Sequence, residues 1–209
     1  MSSLLESRME ITMNLRCCLL LMASASLGGC WEAPSFCSGY DCPVYTVVNT
    51  YGSFEERRYE ASQWITTDIA STRASDVQAG FWKLYYYMQG KNKDEKETVT
   101  TRPVVVSVNE ASENGGKQVS ISFFISTGIV VPEPNDETIR KKDLPAATVY
   151  VRVFGGIATE EDAIENVQKL KEDLQVAGKP FDGTRFEAAG YDAPWILVNR
   201  HNEVWVYAA

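Results

Sequence analysis

Short segments rich in β-branched and aromatic residues run through most of this chain and limit what it can fold into. They lie at residues 44–49, 54–59, 63–68, 103–108, 119–125, 148–154 and 203–207. Asn114-Gly115-Gly116, between the fourth and fifth segments, is typical of a hairpin turn. Pro132 and Pro134 exclude a central strand there, because proline has no amide hydrogen to donate to a sheet. Residues 130–136 are therefore expected to cross the surface between two halves of the protein.

The later of two helical segments, residues 159–176, has the pattern of an amphipathic helix lying on a sheet. Thr159 is a good capping residue, and the acids at 160–162 suit the positive end of a helix. One apolar stripe follows at helical spacing: Ala163, Val167, Leu170 and Leu174. Gly178 and Pro180 predict the end of the helix.

The earlier helical segment, residues 74–89, is apolar around nearly its whole circumference. Its core stripe is Val77, Phe81, Leu84 and Met88, and the remaining surface carries Trp82, Tyr85, Tyr86 and Tyr87. Such a helix must be covered on more than one side. Two interpretations stay open: a loop covers the second side, or that side borders an open apolar cleft that takes a ligand.

The order of these segments repeats, with strands, one helix and further strands on each side of the two prolines. We therefore predict an α+β fold of two similar halves, in which curved antiparallel strands carry two helices.

Composition and charge exclude several function classes. The formal net charge is −8 and no lysine or arginine cluster is present, so the basic face that nucleic-acid binding requires is missing. His201 is the single histidine, which argues against most zinc sites and histidine-based catalysis.

No catalytic constellation is recognisable among the remaining polar residues. Gly155-Gly156 is interpreted as a turn, and the acids at 160–162 as part of a helix start, so no metal site is assigned. Asp192 and Glu203 are interpreted as isolated carboxylates, and His201 as a surface-turn histidine rather than a metal or haem ligand.

Residues 1–30 are interpreted as a signal peptide, which predicts a secreted protein. Arg16 precedes an apolar run at 17–22 that is too short to cross a membrane, and small residues follow it. Met13 would give a tidier start than Met1. The alternative is a buried N-terminal helix.

Cleavage is expected within residues 25–30, followed by an N-terminal extension over 31–42. A cut after Cys30 leaves Cys37 and Cys42, which we expect to form a disulfide in an oxidising compartment. Leu27-Gly28-Gly29-Cys30 also resembles a bacterial lipobox, in which the cysteine would carry a lipid.

Seven short motifs, taken in order, resemble those of the SOUL haem-binding family. They are Tyr59-Glu60-x-x-x-Trp64, Gln89-Gly90-Lys91-Asn92, Thr101-Arg102-Pro103-Val104, Pro132-Glu133-Pro134, Val153-Phe154-Gly155-Gly156, Ala189-Gly190-Tyr191-Asp192-x-Pro194 and Asn199-Arg200-x-Asn202-Glu203-Val204-Trp205. The resemblance covers roughly residues 42–208 and places a SOUL domain at 43–209. It implies a distorted antiparallel β-barrel with two helices and two similar halves, resembling bacterial effector-binding domains.

The resemblance also implies a non-enzymatic protein that holds a tetrapyrrole non-covalently in an apolar cleft beside the first helix, for carriage or buffering. Haem and metal-free porphyrin are flat apolar plates with propionates at the rim, and so need a stacking surface and a cation. The residues expected to line the cleft are Phe81, Lys83, Leu84, Tyr85, Met88 and Arg200. Lys83 or Arg200 would meet a propionate, and Tyr85 is a candidate iron ligand. Gln78 occupies a position where a basic residue is expected.

Two other function classes compete with tetrapyrrole binding. The aromatic helix can serve as a docking face for a protein partner, without a small ligand. An enzyme acting on a small hydrophobic substrate is disfavoured, because the sequence has no acid–base pair.

Overall fold

The computed structural model describes residues 31–111, 116–193 and 196–209. Its strands are β1 (Tyr45–Thr50), β2 (Glu55–Tyr59), β3 (Ser62–Ile69), β4 (Val104–Asn109), β5 (Gln118–Ile125), β6 (Ile139–Leu144), β7 (Ala147–Phe154), β8 (Arg185–Gly190) and β9 (Asn202–Tyr207), and its helices are α1 (Ala74–Met88) and α2 (Glu160–Val176). These elements belong to one unit, Pro34–Ala209, and the signal-peptide prediction falls on residues 1–30, outside the described residues.

The strands form one antiparallel sheet in the order β1-β2-β7-β9-β8-β4-β5-β3-β6, curled into a half-barrel. Within it, β3-α1-β4-β5 and β7-α2-β8-β9 are two similar halves that meet at the β4–β8 pair. The predicted α+β fold of two halves is therefore confirmed. The prediction missed β6 and β8, because β6 begins Ile-Arg-Lys-Lys-Asp and β8 is rich in alanine and glycine, and neither has the composition of a typical strand.

The predicted hairpin and both predicted helices are present. β4 and β5 pair antiparallel down to Asn109 opposite Gln118, and the turn between them includes residues 112–115, which lie outside the described part. α2 begins with a capping box, in which Thr159 and Asp162 each accept a hydrogen bond from the other's backbone amide. Its stripe is buried at Val167, Leu170 and Leu174.

Both helices pack on the same face of the sheet, over two clusters of apolar side chains that meet at Ile69 and Val106. Tyr87 of α1 is buried, and its hydroxyl donates to the carbonyl of Pro132 at 2.5 Å. Ile129 and Val131 pack against the same cluster. The segment around Pro132 therefore covers one side of α1, as the first of the two interpretations predicted.

Candidate functional site

The side of α1 that this segment leaves open carries an aromatic surface. Phe81 stacks on Tyr85 with ring centroids 5.9 Å apart, and its ring lies 5.4 Å from that of Phe123 on β5. Trp82 and Tyr86 stack on each other at 5.8 Å and are 41% and 45% exposed. Unpartnered aromatic area of this kind is typical of a binding surface.

Two of the predicted ligand contacts lie in the core instead. Leu84 is 0% exposed and Met88 is 4% exposed, and both belong to the cluster under α1. The Met88 sulfur accepts a hydrogen bond from the Thr98 hydroxyl at 2.8 Å. Their places on the inner stripe bury both residues, so neither offers a ligand any surface. Of the predicted apolar contacts, Phe81 and Tyr85 remain partly exposed.

The two predicted cations differ in how far their charge is neutralised. The Lys83 ammonium lies 3.4 Å from Asp136 and donates to the Thr138 hydroxyl at 2.9 Å. Arg200 has no carboxylate partner among the described residues. Its guanidinium donates to the carbonyls of Asp192, Ala193 and Ile196 at 3.1, 3.3 and 2.9 Å, and its Nε has no acceptor there. Arg200 therefore keeps an unneutralised positive charge, which suits an anionic group.

A strip of the helix-bearing face between the two halves is less well covered than the rest. Alternation along β4 and β8 directs Val104, Val106, Ala188 and Gly190 to this face, and each is partly exposed. Val104 lies opposite Phe123 on one side and Gly190 on the other, and Gly190 lies opposite Asn202. We call this strip and the Phe81–Tyr85 wall beside it the α1 trough. The chain that connects β8 to β9, which we call the 191–201 loop, carries Arg200; residues 194 and 195 of it lie outside the described part.

These residues fit a flat apolar ligand with acidic groups. The trough offers a partly exposed floor and an aromatic wall, and the chain that leaves the floor carries the unneutralised guanidinium of Arg200. Among the described residues there is no group of three His, Cys, Asp or Glu side chains that could hold a metal ion.

On the opposite face the structure contains a buried charge cluster that the sequence did not predict. Glu203 is 0% exposed, and its carboxylate accepts hydrogen bonds from Arg57 at 2.9 Å, Tyr191 at 2.9 Å and Trp205 at 2.7 Å. His201 Nε2 lies 2.8 Å from the same carboxylate. The interpretations of Glu203 as isolated and of His201 as a surface-turn residue were therefore wrong. The sequence signal was Glu203 and Trp205 two residues apart on a predicted strand, which places a carboxylate on an apolar face.

The ion pair sets the protonation state of this cluster. Burial opposes the charge of Glu203, but hydrogen bonding from His201 and attraction to Arg57 outweigh it and lower the pKa of the carboxyl group. The pKa of Arg57 is raised despite its burial, chiefly by Glu203. Both groups therefore stay charged, and alternation along β9 directs Glu203 away from the helices and the α1 trough.

The N-terminal extension packs against this cluster. Cys37 and Cys42 form a disulfide, as predicted, with their Cα atoms 6.3 Å apart. Phe36 stacks on His201 with ring centroids 3.9 Å apart, and Arg102 lies 3.5 Å from Asp192 on the loop that carries Arg200. The disulfide segment therefore braces one end of that loop.

Two depressions lie outside the α1 trough. One, of about 350 Å³, is polar and is lined by residues that include Ser107, Ser120 and Glu187. The other, of about 290 Å³, lies between the N-terminal extension and the 191–201 loop and includes Phe36 and Arg200. No α1 residue lines either one. Within the described part of the chain, no helix is long and apolar enough to cross a membrane.

Solved structures with very different sequences share this fold. The C-terminal domain of EcmrR is similar with a TM-score of 0.56 and 11% sequence identity, covering 79% of this chain and 98% of that domain. A Listeria innocua protein described as a hydrolase is similar with a TM-score of 0.54 and 8% identity, over 76% of this chain and 94% of that one. Likeness at such low identity shows the fold alone.

The chain belongs to the SOUL heme-binding protein family, whose model matches residues 40–207. It is 35% identical to Heme-binding protein 2 of Homo sapiens over 159 residues, which cover 74% of this chain and 78% of the human protein. It is 28% identical to Heme-binding protein 1 of Mus musculus over 174 residues, which cover 79% of this chain and 91% of the mouse protein.

Proposed function

We propose that this protein binds haem or metal-free porphyrin non-covalently in the α1 trough and serves as a carrier or buffer rather than an enzyme. The observation that carries the proposal is the partly exposed strip at Val104 and Gly190 beside the aromatic wall of α1. Membership of a heme-binding family supports the choice of ligand.

In this proposal, contact with the flat macrocycle supplies the binding affinity. Phe81 and Tyr85 provide stacking area, and the Arg200 guanidinium meets a propionate. His201 is hydrogen-bonded to Glu203 and covered by Phe36, so its side chain is engaged elsewhere. The iron of haem then needs no histidine, and porphyrin without iron binds by the same contacts.

Tyr85→Ala tests this mode of binding. Removing the ring should weaken porphyrin binding by at least about 1 kcal/mol, the low end for losing a buried aromatic contact. His201→Ala should leave binding within a few-fold, and Tyr51→Ala, in the turn after β1, is the matched control. Absorbance titration with haem and fluorescence titration with protoporphyrin IX measure the affinity of each variant. Loss of the Soret shift in His201→Ala, with Tyr85→Ala unchanged, would place the ligand at the other end of the molecule.

A protein-docking role for α1 is the second candidate, favoured by the exposure of Trp82 and Tyr86. These rings lie on the outer side of the helix, next to the Lys91 ammonium, which lies 4.2 Å from the Tyr86 ring centroid. A bound haem produces an intense Soret band, whereas a protein contact produces none. The absence of any spectral shift with haem and porphyrin would favour docking.

We also infer export, from the apolar run at 17–22, the small residues after it and the paired cysteines downstream. The expected mature N-terminus lies within residues 26–31. N-terminal sequencing of protein secreted by cells expressing the full chain measures it. A secreted chain that retains Leu19–Met22 would contradict the signal peptide.

A further inference from the structure

Gly190 occupies a strand position where neither backbone conformation nor packing requires glycine. It pairs with Val104 on β4 and Asn202 on β9, and its φ lies outside the left-handed region. A Cβ built on Gly190 meets no heavy atom of the described residues within 4 Å. Glycine inside a strand weakens the sheet, and it often marks a place where another group approaches the backbone closely.

Gly80 of α1 shows the contrasting case. A Cβ there would lie 2.6 Å from a methyl group of Ile69 and 2.6 Å from a methyl group of Ile121, so the protein's own packing explains that glycine. None of the residues that the structure describes fills the space in front of Gly190 in this way.

The open space lies at one end of the β4–β8 pair, where the two halves of the fold meet. At the other end of the same face, the corresponding pair is Val108 opposite Phe186, and both side chains are buried. At the Gly190 end, Val104 is partly exposed and Gly190 has no side chain. The floor at this end is formed by Val104 on β4 and Gly190 on β8, and it ends at Asn202 on β9, which is 2% exposed.

We propose that Gly190 is a ligand-contact and specificity-determining position, at which one face of a planar macrocycle rests directly on the backbone of β8. This inference rests on the proposed function and adds the ligand's orientation: face down on the sheet at Val104 and Gly190, with one edge against the Phe81–Tyr85 wall. A side chain at position 190 would hold the plate away from the floor. The ligands that this site accepts therefore have a flat face on the side toward the sheet.

Gly190→Ala and Gly190→Val test the proposal, with Gly52→Val as the matched control. Gly52 also has open space around its Cβ position and an ordinary φ, but it lies in the turn between β1 and β2. The purified full chain is titrated with metal-free protoporphyrin IX, and thermal unfolding is measured without ligand. Gly190→Val should weaken binding by about tenfold or more, and Gly190→Ala should weaken it less, because the inserted group displaces the plate. Neither variant should lower the unfolding temperature, since β-branched residues suit strands.

The outcomes separate this inference from the proposed function. Wild-type protein that binds no porphyrin overturns both. Wild-type binding that Gly190→Val leaves unchanged overturns the contact at Gly190 alone, and so does equal weakening in Gly52→Val. A Gly190→Ala variant with a lowered unfolding temperature would also overturn it, because glycine would then be required by the fold.

Discussion

Glu203 is the residue whose neighbours most limit what can replace it. Its carboxylate is fully buried with Arg57, Tyr191, Trp205 and His201 around it, and Arg57 itself is 2% exposed. Two buried charges are expensive to remove from water, and removing one leaves the other without compensation. The free energy of unfolding therefore depends on the pair being intact.

Glu203→Gln should lower the free energy of unfolding by about 3 to 5 kcal/mol, because the Arg57 guanidinium then stays buried without its main counter-charge. Urea unfolding measures the change. Glu165→Gln on α2 is the control, since the Glu165–Lys169 pair is exposed and worth about 0.5 kcal/mol. Equal urea unfolding midpoints for wild type and Glu203→Gln would show that the Arg57–Glu203 pair does not contribute to stability.

The lowered pKa of Glu203 predicts how stability changes with pH. Because the folded state lowers this pKa, the contribution of the carboxylate is complete above its unfolded-state pKa of about 4.3. It is lost as the pH falls below that value through the folded-state pKa. Wild-type protein should therefore lose more stability than Glu203→Gln between about pH 5 and pH 2. Parallel pH profiles for the two proteins would show that Glu203 does not titrate with unfolding.

At the scale of elements, α1 depends on the absence of a side chain at Gly80. Alanine is the better helix former by about 1 kcal/mol, but its methyl group would overlap Ile69 and Ile121. Overpacking a core costs about 1 to 3 kcal/mol, so Gly80→Ala should lower the free energy of unfolding by about 1 kcal/mol overall. Thermal or urea unfolding measures the change. Gln78→Ala, on the exposed side of α1, is the control, and a stabilised Gly80→Ala would mean that α1 sits farther from the sheet.

The two helices differ in how far local sequence explains them. The start of α2 and its buried stripe follow from Thr159, the acids after it and the 3.6-residue spacing, and the structure contains both. For α1 the spacing identified the side that faces the core, but it did not predict that Tyr87 is buried. Tyr87 is buried because the segment around Pro132, which comes after β4 and β5 in the sequence, crosses over it.

At the scale of the whole molecule, the Cys37–Cys42 disulfide closes a short loop in the N-terminal extension, and Phe36 of that extension stacks on His201. Because the disulfide encloses so short a loop, Cys37→Ala/Cys42→Ala should lower the free energy of unfolding by less than the roughly 3 kcal/mol expected for a 15-residue loop. Urea unfolding measures the change, and wild-type protein with a reductant is the control. Labelling of both thiols in secreted wild-type protein would show that the disulfide does not form there.

What the sequence determined by itself is local: the positions of most strands, the cap and stripe of α2, the excess of aromatic residues on α1 and the pairing of two nearby cysteines. Alternation and helical spacing reveal which side chains share one face of an element. The motif order also indicated the family, because each motif is a short contiguous segment that can be recognised without the fold.

Tertiary structure alone decided which of these faces meet. Arg57 and Glu203 are 146 residues apart in the chain, and the sheet order brings β2 and β9 to either side of β7. The open position at Gly190 likewise depends on how β8 pairs with β4 and β9, which no local pattern records. The physical reason is that periodicity records burial along one element, whereas a site depends on the register between elements far apart in sequence.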